Sequence, residues 1–444
     1  MKYYFTGVAG FGMSALAQIS RMEGNGIFGS DRAFDLGQAA DIKEKFGSLG
    51  IGIYPQDGRV LDKTFDAVIV STAVEDSNPE IVRAKELGLE IIHRSDFLAS
   101  YLNKNKTVAV GGTSGKSTVA AMIFHILREN GLDPSIITGG ALNSLMEKGL
   151  PGNAFSGKGE WLVIEADESD GTIAKYSPAA GIVLNVSRDH KDVEELKKIF
   201  SVFINKSKTV YLGGDDENLR GLAEKAVYFG LSEASGVKLS PYRSEFTFEG
   251  VKFEIPLPGL YNISNALCAI KFCRGSAGLP LEKIARAFAS YKGVFRRFNV
   301  LGEKKGVVVV DDFAHNPAKI EAALGAAHID GSKRVIAVYQ PHGFTPTRTL
   351  KAELIESFSR GLNEGDLLFM PEIYYVGGTV SKNISSLDLV NPLREKGKKA
   401  FYFEKRPEIT KEIKKAARPG DLILVMGARD LTLHSFAEEI YNSL

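Results

Sequence analysis

Cysteine is almost absent. Cys268 and Cys273 are the only two among 444 residues. They fall on one predicted helix at a spacing that does not share a face, so they read as reduced core thiols. This excludes a disulfide framework, a thiolate metal site and cysteine catalysis. Neither sign of charge is in excess: 55 Lys and Arg stand against 54 Asp and Glu, so no whole-chain field draws the protein to nucleic acid or to an anionic membrane. No apolar run reaches the roughly eighteen residues of a spanning helix, and Met1-Lys2 passes straight into a strand pattern with no basic leader. These absences predict a soluble, cytoplasmic chain. What is present is a globular composition, 44% apolar, in a chain longer than one ordinary core, so two or three domains are expected.

The densest chemistry lies in Val108 to Thr118. A β-rich run ends in a glycine loop, and Lys116 and Ser117 open an apolar helix through Met122, Ile123, Ile126 and Leu127. Such a helix start attracts a phosphate. Gly112 and Gly115 let backbone N–H groups approach it, Lys116 supplies a point charge, and the Ser117 hydroxyl is placed for Mg²⁺. The run matches Gly-Thr-x-Gly-Lys-[Ser/Thr], one residue shorter than the longer phosphate-loop pattern. Trp161 to Ile164 predicts a strand delivering Glu165-Ala-Asp167-Glu168-Ser-Asp170 at its carboxyl end, a pattern suited to Mg²⁺. A further strand, Gly181 to Val186, ends near Asn185, Asp189 and His190, and His190 is a candidate additional ligand.

The amino-terminal stretch has the same logic with a weaker signature. Tyr3 to Val8 predicts a strand, Gly7-x-x-Gly10-x-Gly12 the turn, and Met13, Leu16, Ala17 and Ile19 the apolar side of a helix. Ser30-Asp31 follows a second strand, and Ala67 to Ser71 forms a third. In a parallel sheet Gly10, Asp31 and Ser71 would meet at the carboxyl ends of the strands, where ligands collect. The glycine order is not G-x-G-x-x-G, and no hydride-transfer site is recognisable, which argues against a nicotinamide enzyme.

Beyond the phosphate loop, Arg243 to Phe253 alternates as a hairpin around Glu249-Gly250. Asn262 is a plausible N-cap for the helix through Leu267. Arg296-Arg297-Phe298 precedes a short polar link. Val307 to Val310 then leads to Asp311-Asp312-Phe-Ala-His315, and Arg334 to Tyr339 to Gln340-Pro-His342-Gly343, with Arg348 after it. Strands at Asp366 to Met370, Lys399 to Phe403 and Asp421 to Val425 continue the alternation, making a third α/β unit.

Taken in order, Gly7-Val-Ala-Gly10-Phe11-Gly12-Met13-Ser14, Gly112 to Ser117, Glu165 to Asp170, Asn262-Ile-Ser-Asn265-Ala266, Arg296 to Phe298, Asp311 to His315 and Gln340 to His342 resemble the Mur ligases. These are the ATP-dependent amide-forming enzymes of peptidoglycan precursor assembly, and the match spans essentially the whole chain. The resemblance implies an α/β protein of three domains: a Rossmann-like UDP-sugar domain over 1–103, a central P-loop ATPase domain with a parallel sheet over 104–294, and a Rossmann-like domain over 295–444 that closes over the site and binds the acceptor. It implies ATP and Mg²⁺, and the joining of the carboxylate of UDP-N-acetylmuramate to L-alanine, or to a peptide amine, through an acyl phosphate.

By the same comparison Gly10, Phe11, Gly12, Met13, Ser30, Asp31 and Ser71 face the UDP-sugar. Gly112, Thr113, Ser114, Gly115, Lys116, Ser117 and Thr118 hold ATP together with Asn262, Asn265, Arg297, Asp312 and His315. Ser117, Glu165 and His190 are the metal ligands, His342 and Arg348 face the acceptor, and Lys116, His190, Arg297 and His342 carry the catalysis.

The chain departs from the family pattern at Ser114, at Ser187-Arg188, at Tyr261 and Asn316, and at Gly343 and Pro346, which stand where the family has two basic residues. Glu372-Ile-Tyr374-Tyr375-Val-Gly377-Gly378 is a candidate replacement for the acceptor pocket, with aromatic and backbone groups. Competing expectations are a non-catalytic homologue that keeps the nucleotide sites, and a folate-type polyglutamate ligase, which would lack the amino-terminal glycine turn.

Overall fold

The computed structural model describes residues 1–104, 106–168, 171–187, 192–329, 334–375, 381–430 and 432–444. The chain forms two compact units. One comprises Met1–Ser235, Thr247–Phe253 and Ser264–Val294, the other Gly236–Phe246, Glu254–Ile263 and Phe295–Leu444.

The first unit contains two sheets built from short β-branched runs punctuated by glycine. Five parallel strands run in the order Gly52–Ile53, Gly26–Ser30, Lys2–Thr6, Ala67–Val70, Glu90–His93. The order reverses at Lys2–Thr6, which opens a crevice outside its carboxyl end. In the second sheet the order is Val227–Phe229, Thr209–Gly213, Ala180–Val183, Lys106–Gly111, Trp161–Glu165, Ser135–Ile137, Ala154–Phe155. Only the last strand is antiparallel to its neighbour. Val108 to Val110 and Leu162 to Ile164 are fully buried, as strands covered on both faces must be.

The helix Phe11–Met22 buries Met13, Leu16, Ala17 and Ile19, and it also buries a polar pair. Gln18 Nε2 donates to Asn153 Oδ1 at 2.7 Å, and Asn153 Nδ2 donates to the Phe11 carbonyl at 2.9 Å. These bonds satisfy the two amide nitrogens, which would otherwise be costly to bury, while Gln18 Oε1 has no partner among the described residues.

The second unit contains a six-stranded sheet in the order Asn299–Lys304, Val307–Asp312, Leu422–Gly427, Val335–Gln340, Leu367–Pro371, Ala400–Phe403. Val308 and Val310 pack into one apolar cluster while Val307 and Val309 enter another. This is the period of a strand covered on both sides.

Three local expectations are corrected. The polar link after Phe298 is the strand Asn299–Lys304, antiparallel to Val307–Asp312. Lys305 (φ 51°) and Gly306 (φ 76°) make the two-residue turn between them, and the charged run hid the hairpin. The strand predicted to Val186 ends at Val183, because Asp216 Oδ2 takes the Val186 N–H at 2.6 Å and draws the chain off the sheet. The hairpin predicted around Glu249-Gly250 is present as Arg243–Phe248 and Val251–Ile255, and Ser235–Ser240 joins it in a three-stranded sheet. Asn262 is not an N-cap: the helix begins at Leu260, and the Asn262 amide donates backwards to the Pro258 carbonyl at 2.7 Å. Cys268 and Cys273 are buried and free. Among the described residues no helix is long and apolar enough to cross a membrane.

Adjacent arginines have separate duties in the second unit. Arg296 is buried, bonds both oxygens of the fully buried Asp311 at 3.0 and 3.1 Å, and reaches the Gly427 carbonyl at 2.8 Å. Arg296→Ala is expected to cost about 3–5 kcal/mol, because it strands a buried carboxylate. Urea unfolding measures this, and a cost below about 1 kcal/mol would mean that His434, 2.8 Å from Asp311 Oδ2, suffices as its partner.

Candidate active site

In the first unit a cavity of about 830 Å³ is lined by Gly10, Phe11, Gly12, Met13, Asp31 and Ser71 at one end and by Thr138, Gly139, Glu165 and Asp167 at the other. It thus joins the crevice of the five-stranded sheet to the acid run of the seven-stranded sheet. Ser30 is not among its walls. Its side chain is buried and donates to Glu80 Oε2 at 2.8 Å. Asp31 lines the cavity, but both its oxygens accept backbone N–H groups, from Ala9 and from Ala33, each at 2.9 Å. This ties the glycine turn to the next helix.

The phosphate loop follows Lys106–Gly111 directly and feeds the helix Lys116–Glu129. Gly112 (φ 126°) and Gly115 (φ 88°) occupy backbone that side chains disfavour. A Cβ on Gly115 would also stand 2.7 Å from Asn265 Oδ1, so Asn265 lies against the loop. Asn185, which the sequence alone did not assign, laces the loop from the adjacent strand. Its Oδ1 accepts from Ser114 N at 2.8 Å and its Nδ2 donates to the Ser114 carbonyl at 3.0 Å. Thr113 Oγ1 accepts from Ser187 N at 2.9 Å. Backbone clamps of this kind leave the Ser114 side chain with no shaping role, and Thr118 is buried in the helix.

Two acids meet the loop's functional side chains. Ser117 Oγ donates to Glu165 Oε2 at 2.8 Å, and the same oxygen accepts from Thr138 Oγ1 and Gly139 N, each at 2.9 Å. Lys116 Nζ is 2.9 Å from Glu168 Oε2 and 2.8 Å from the Gly112 carbonyl. Burial opposes the charge on Lys116, but Glu168 and Glu165 outweigh it and hold its pKa above the ordinary lysine value. Burial pushes the Glu168 carboxyl up, and Lys116 offsets that only in part.

Asp170, Asp189 and His190 lie outside the described residues, as do Arg188, Gly377 and Gly378. Among the described residues no three His, Cys, Asp or Glu side chains converge as a metal cluster. Ser117 and Glu165 nevertheless supply adjacent hard oxygen donors beside the phosphate loop, which fits Mg²⁺ held by few protein ligands and by phosphate.

In the second unit Arg297 places its guanidinium 4.9 Å from the Phe313 ring centroid and partly offsets the burial that pushes the Asp312 carboxyl up. Asp312 itself accepts from Phe298 N at 2.6 Å and Ala314 N at 2.7 Å. Tyr261 lies in the field of Asp312, and burial pushes its hydroxyl up.

The rings of His315 and His342 are 5.5 Å apart. Burial and the charge of Lys319 press His315 down to about 3. Burial and Arg429 press His342 down to about 4. His342 Nδ1 is buried with no hydrogen-bond partner among the described residues.

Gly343 explains one departure from the basic pattern. It turns the chain at φ 70° into the short helix Phe344–Thr349, with its N–H on the Tyr374 carbonyl at 2.9 Å. Arg348 is exposed and donates to the Ser381 carbonyl at 2.9 Å. Tyr374 and Tyr375 are exposed, not core residues, and Lys382 Nζ lies 4.4 Å from the Tyr375 ring centroid.

Three family models match the chain: Mur ligase family, catalytic domain, over residues 2–106; Mur ligase middle domain over 110–273; and Mur ligase, glutamate ligase domain, over 296–429. A UDP-N-acetylmuramate–L-alanine ligase of Geobacter sp. (strain M21) is 33% identical over 96% of this chain and 94% of its own length. The enzyme of the same name from Cyanothece sp. (strain PCC 7425) is 34% identical over 97% and 92%. A crystal structure of UDP-N-acetylmuramate-alanine ligase from Thermotoga maritima superposes with a TM-score of 0.82 at 26% identity, over 100% of this chain and 98% of that one.

Proposed function

The chain belongs to the Mur ligase family, and on that premise we propose that it joins the carboxylate of UDP-N-acetylmuramate to L-alanine, converting ATP to ADP and phosphate. Residues 1–103 hold the UDP-sugar, 104–294 hold ATP, and 295–444 bring the acceptor. The observation that carries the reading is the cavity running from Gly10 and Gly12 to Thr138, Gly139 and Glu165. Its far end adjoins the Ser117–Glu165 contact, so a sugar acid lying along it ends where a γ-phosphate would sit.

The carboxylate attacks the γ-phosphorus and ADP leaves, giving an acyl phosphate. The amine then attacks the acyl carbon, loses a proton and expels phosphate, leaving the amide. Two anions must approach each other in the first step, and Lys116 and Arg297 lower that Coulomb cost. Ser117 and Glu165, with His190, would hold Mg²⁺, which supplies further charge neutralisation at the phosphates. Gly112 to Thr118 cradle the phosphates, while Asn262, Asn265, Asp312 and His315 complete the nucleotide site. His342 faces the acceptor amine and Arg348 its carboxylate. Most of the acceleration comes from positioning.

A peptide acceptor is the second reading. The turn at Gly343 removes a basic side chain, and the exposed Tyr374 and Tyr375 leave room for a longer amine. ADP release with UDP-N-acetylmuramate and a panel of L-alanine, glycine, L-serine and a muropeptide tripeptide tests both. Release driven by L-alanine supports the first reading and release driven by the tripeptide alone supports the second. No release with either amine overturns both and favours a homologue without ligase activity.

A further inference from the structure

A polar chain crosses the carboxyl ends of the six-stranded sheet. Gln340 closes the strand Val335–Gln340 and is 2% exposed. It pairs with Gly427 on the neighbouring strand, where a Cβ would stand 3.1 Å from Gln340 Cβ, so the side chain has little freedom on that side. Its amide is bonded at both ends. Oε1 accepts from Arg406 Nε at 3.0 Å and from Arg406 Nη2 at 2.7 Å, while Nε2 donates to the Glu372 carbonyl at 2.7 Å and to the Pro341 carbonyl at 3.1 Å.

Arg406 opens the helix Arg406–Ala416. Its guanidinium also pairs with the fully buried Asp430 and donates to Thr432 Oγ1 at 2.9 Å, and it lies 5.4 Å from the Phe436 ring centroid. A guanidinium donates hydrogen bonds and accepts none. Facing Gln340, it therefore decides which way round the amide points: the oxygen towards Arg406, the NH2 towards the two carbonyls. A flipped amide would set its oxygen against the Pro341 and Glu372 carbonyls and its NH2 against a cation, and every one of these bonds would be lost.

The Pro341 carbonyl held by that amide also accepts from Tyr374 N at 2.8 Å, and Gly343 N donates to the Tyr374 carbonyl at 2.9 Å. His342 sits between them, in an isolated parallel bridge with Tyr374. We propose that Arg406 is a positioning residue for the acceptor: by orienting the Gln340 amide it fixes the 341–343 turn against Tyr374, and with it the place of the His342 ring. This rests on reading His342 as facing the acceptor amine. Arg406 acts through Gln340.

Amide hydrogen exchange and steady-state kinetics on the full chain test the assignment. The double variant Arg406→Met, Asp430→Asn removes both members of the ion pair, so no buried charge is stranded, and the Met side chain keeps the packing on Phe436. In it the Gly343 and Tyr374 amides should exchange at least about tenfold faster, while those of Val338 and Leu424, in mid-strand, stay within about twofold of wild type. The KM for L-alanine, or for the tripeptide if that amine drives ADP release, should rise at least about fivefold with the KM for ATP level. Asp430→Asn alone keeps the bonds of Arg406 to Gln340 and should match wild type in both measurements. Arg406→Lys, which can still donate to Gln340 Oε1, should fall between wild type and the double variant. Unchanged exchange at Gly343 and Tyr374 would overturn the proposal. So would an equal acceleration at Val338 and Leu424, or the full effect from Asp430→Asn alone, either of which would make Arg406 a support of the fold only. Faster exchange confined to the turn with a level KM for the amine would overturn the reading of His342 instead, leaving the hold of Arg406 on the turn in place.

Discussion

Lys116→Ala is expected to lower ADP release and ligation together by about three orders of magnitude, the scale of removing a charged donor from a developing oxyanion. UDP-N-acetylmuramate affinity should change little, since Lys116 is not among the residues lining the cavity. Loss of activity alone is ambiguous, because the same substitution strands Glu168. Lys116 and Glu168 form an ion pair with side chains only 15% and 8% exposed. Removing one member of such a pair destabilises a fold by about 3–5 kcal/mol.

The double variant Lys116→Ala, Glu168→Gln removes the orphaned charge and should regain much of that stability without regaining turnover. A well-folded double variant that still releases ADP would show that Lys116 does not neutralise phosphate. The pair also implies that ATP has to take Lys116 from Glu168. Glu168→Gln alone therefore frees the cation and should lower the apparent Kd for ATP.

The second large effect concerns acid stability of the unit that contains His315 and His342. Both are half-buried and neutral, with pKa values of about 3 and about 4, against about 6.5 in an unfolded chain. Between these values the unfolded state binds protons that the native state refuses, so stability falls as pH falls. From pH 7 to pH 5 each histidine removes about 2 kcal/mol by this linkage, and the two together about 4 kcal/mol. Asp312 works in the opposite sense. Its raised carboxyl pKa makes the native state hold a proton longer than the unfolded one, and the benefit appears as pH falls towards the ordinary carboxylate range. Urea unfolding of wild type and of His342→Asn at several pH values separates these contributions, because Asp312 is common to both. The variant should lose about 1.4 kcal/mol per pH unit of slope, the value of one proton. An unchanged slope would mean that His342 takes up its proton as readily in the native state as in the unfolded one.

Contiguous features were legible. Gly112 to Ser117 needs only neighbouring residues to make a phosphate cradle, and the burial of Val108 to Val110 and of Val307 to Val310 follows from β-branched runs too apolar to face water. Features that join distant residues were not legible from spacing. Asn185 clamps Ser114, Glu168 holds Lys116, and Arg94 covers Gly12. Each is an ordinary polar residue until the sheet order brings it to the loop. Asp31 and Asn262 show the converse. Both sit in motifs, and both have side chains bonded to local backbone. Arg296 and Arg297 are indistinguishable as a dipeptide, and only the left-handed backbone at Arg296, φ 56°, turns its side chain towards Asp311.

The buried amides of Gln18 and Asn153 have a consequence for selectivity. Asn153 immediately precedes the edge strand Ala154–Phe155 of the sheet bearing the phosphate loop, and Gln18 belongs to the helix that starts at the glycine turn. Their bond bolts the two ends of the cavity to one chassis. The span between the grip on the nucleotide and the place of reaction is then a fixed gauge within this unit, set when the chain folds. A sugar acid one carbon short is expected to react more slowly than UDP-N-acetylmuramate for that reason, and comparison of the two in ADP release checks it.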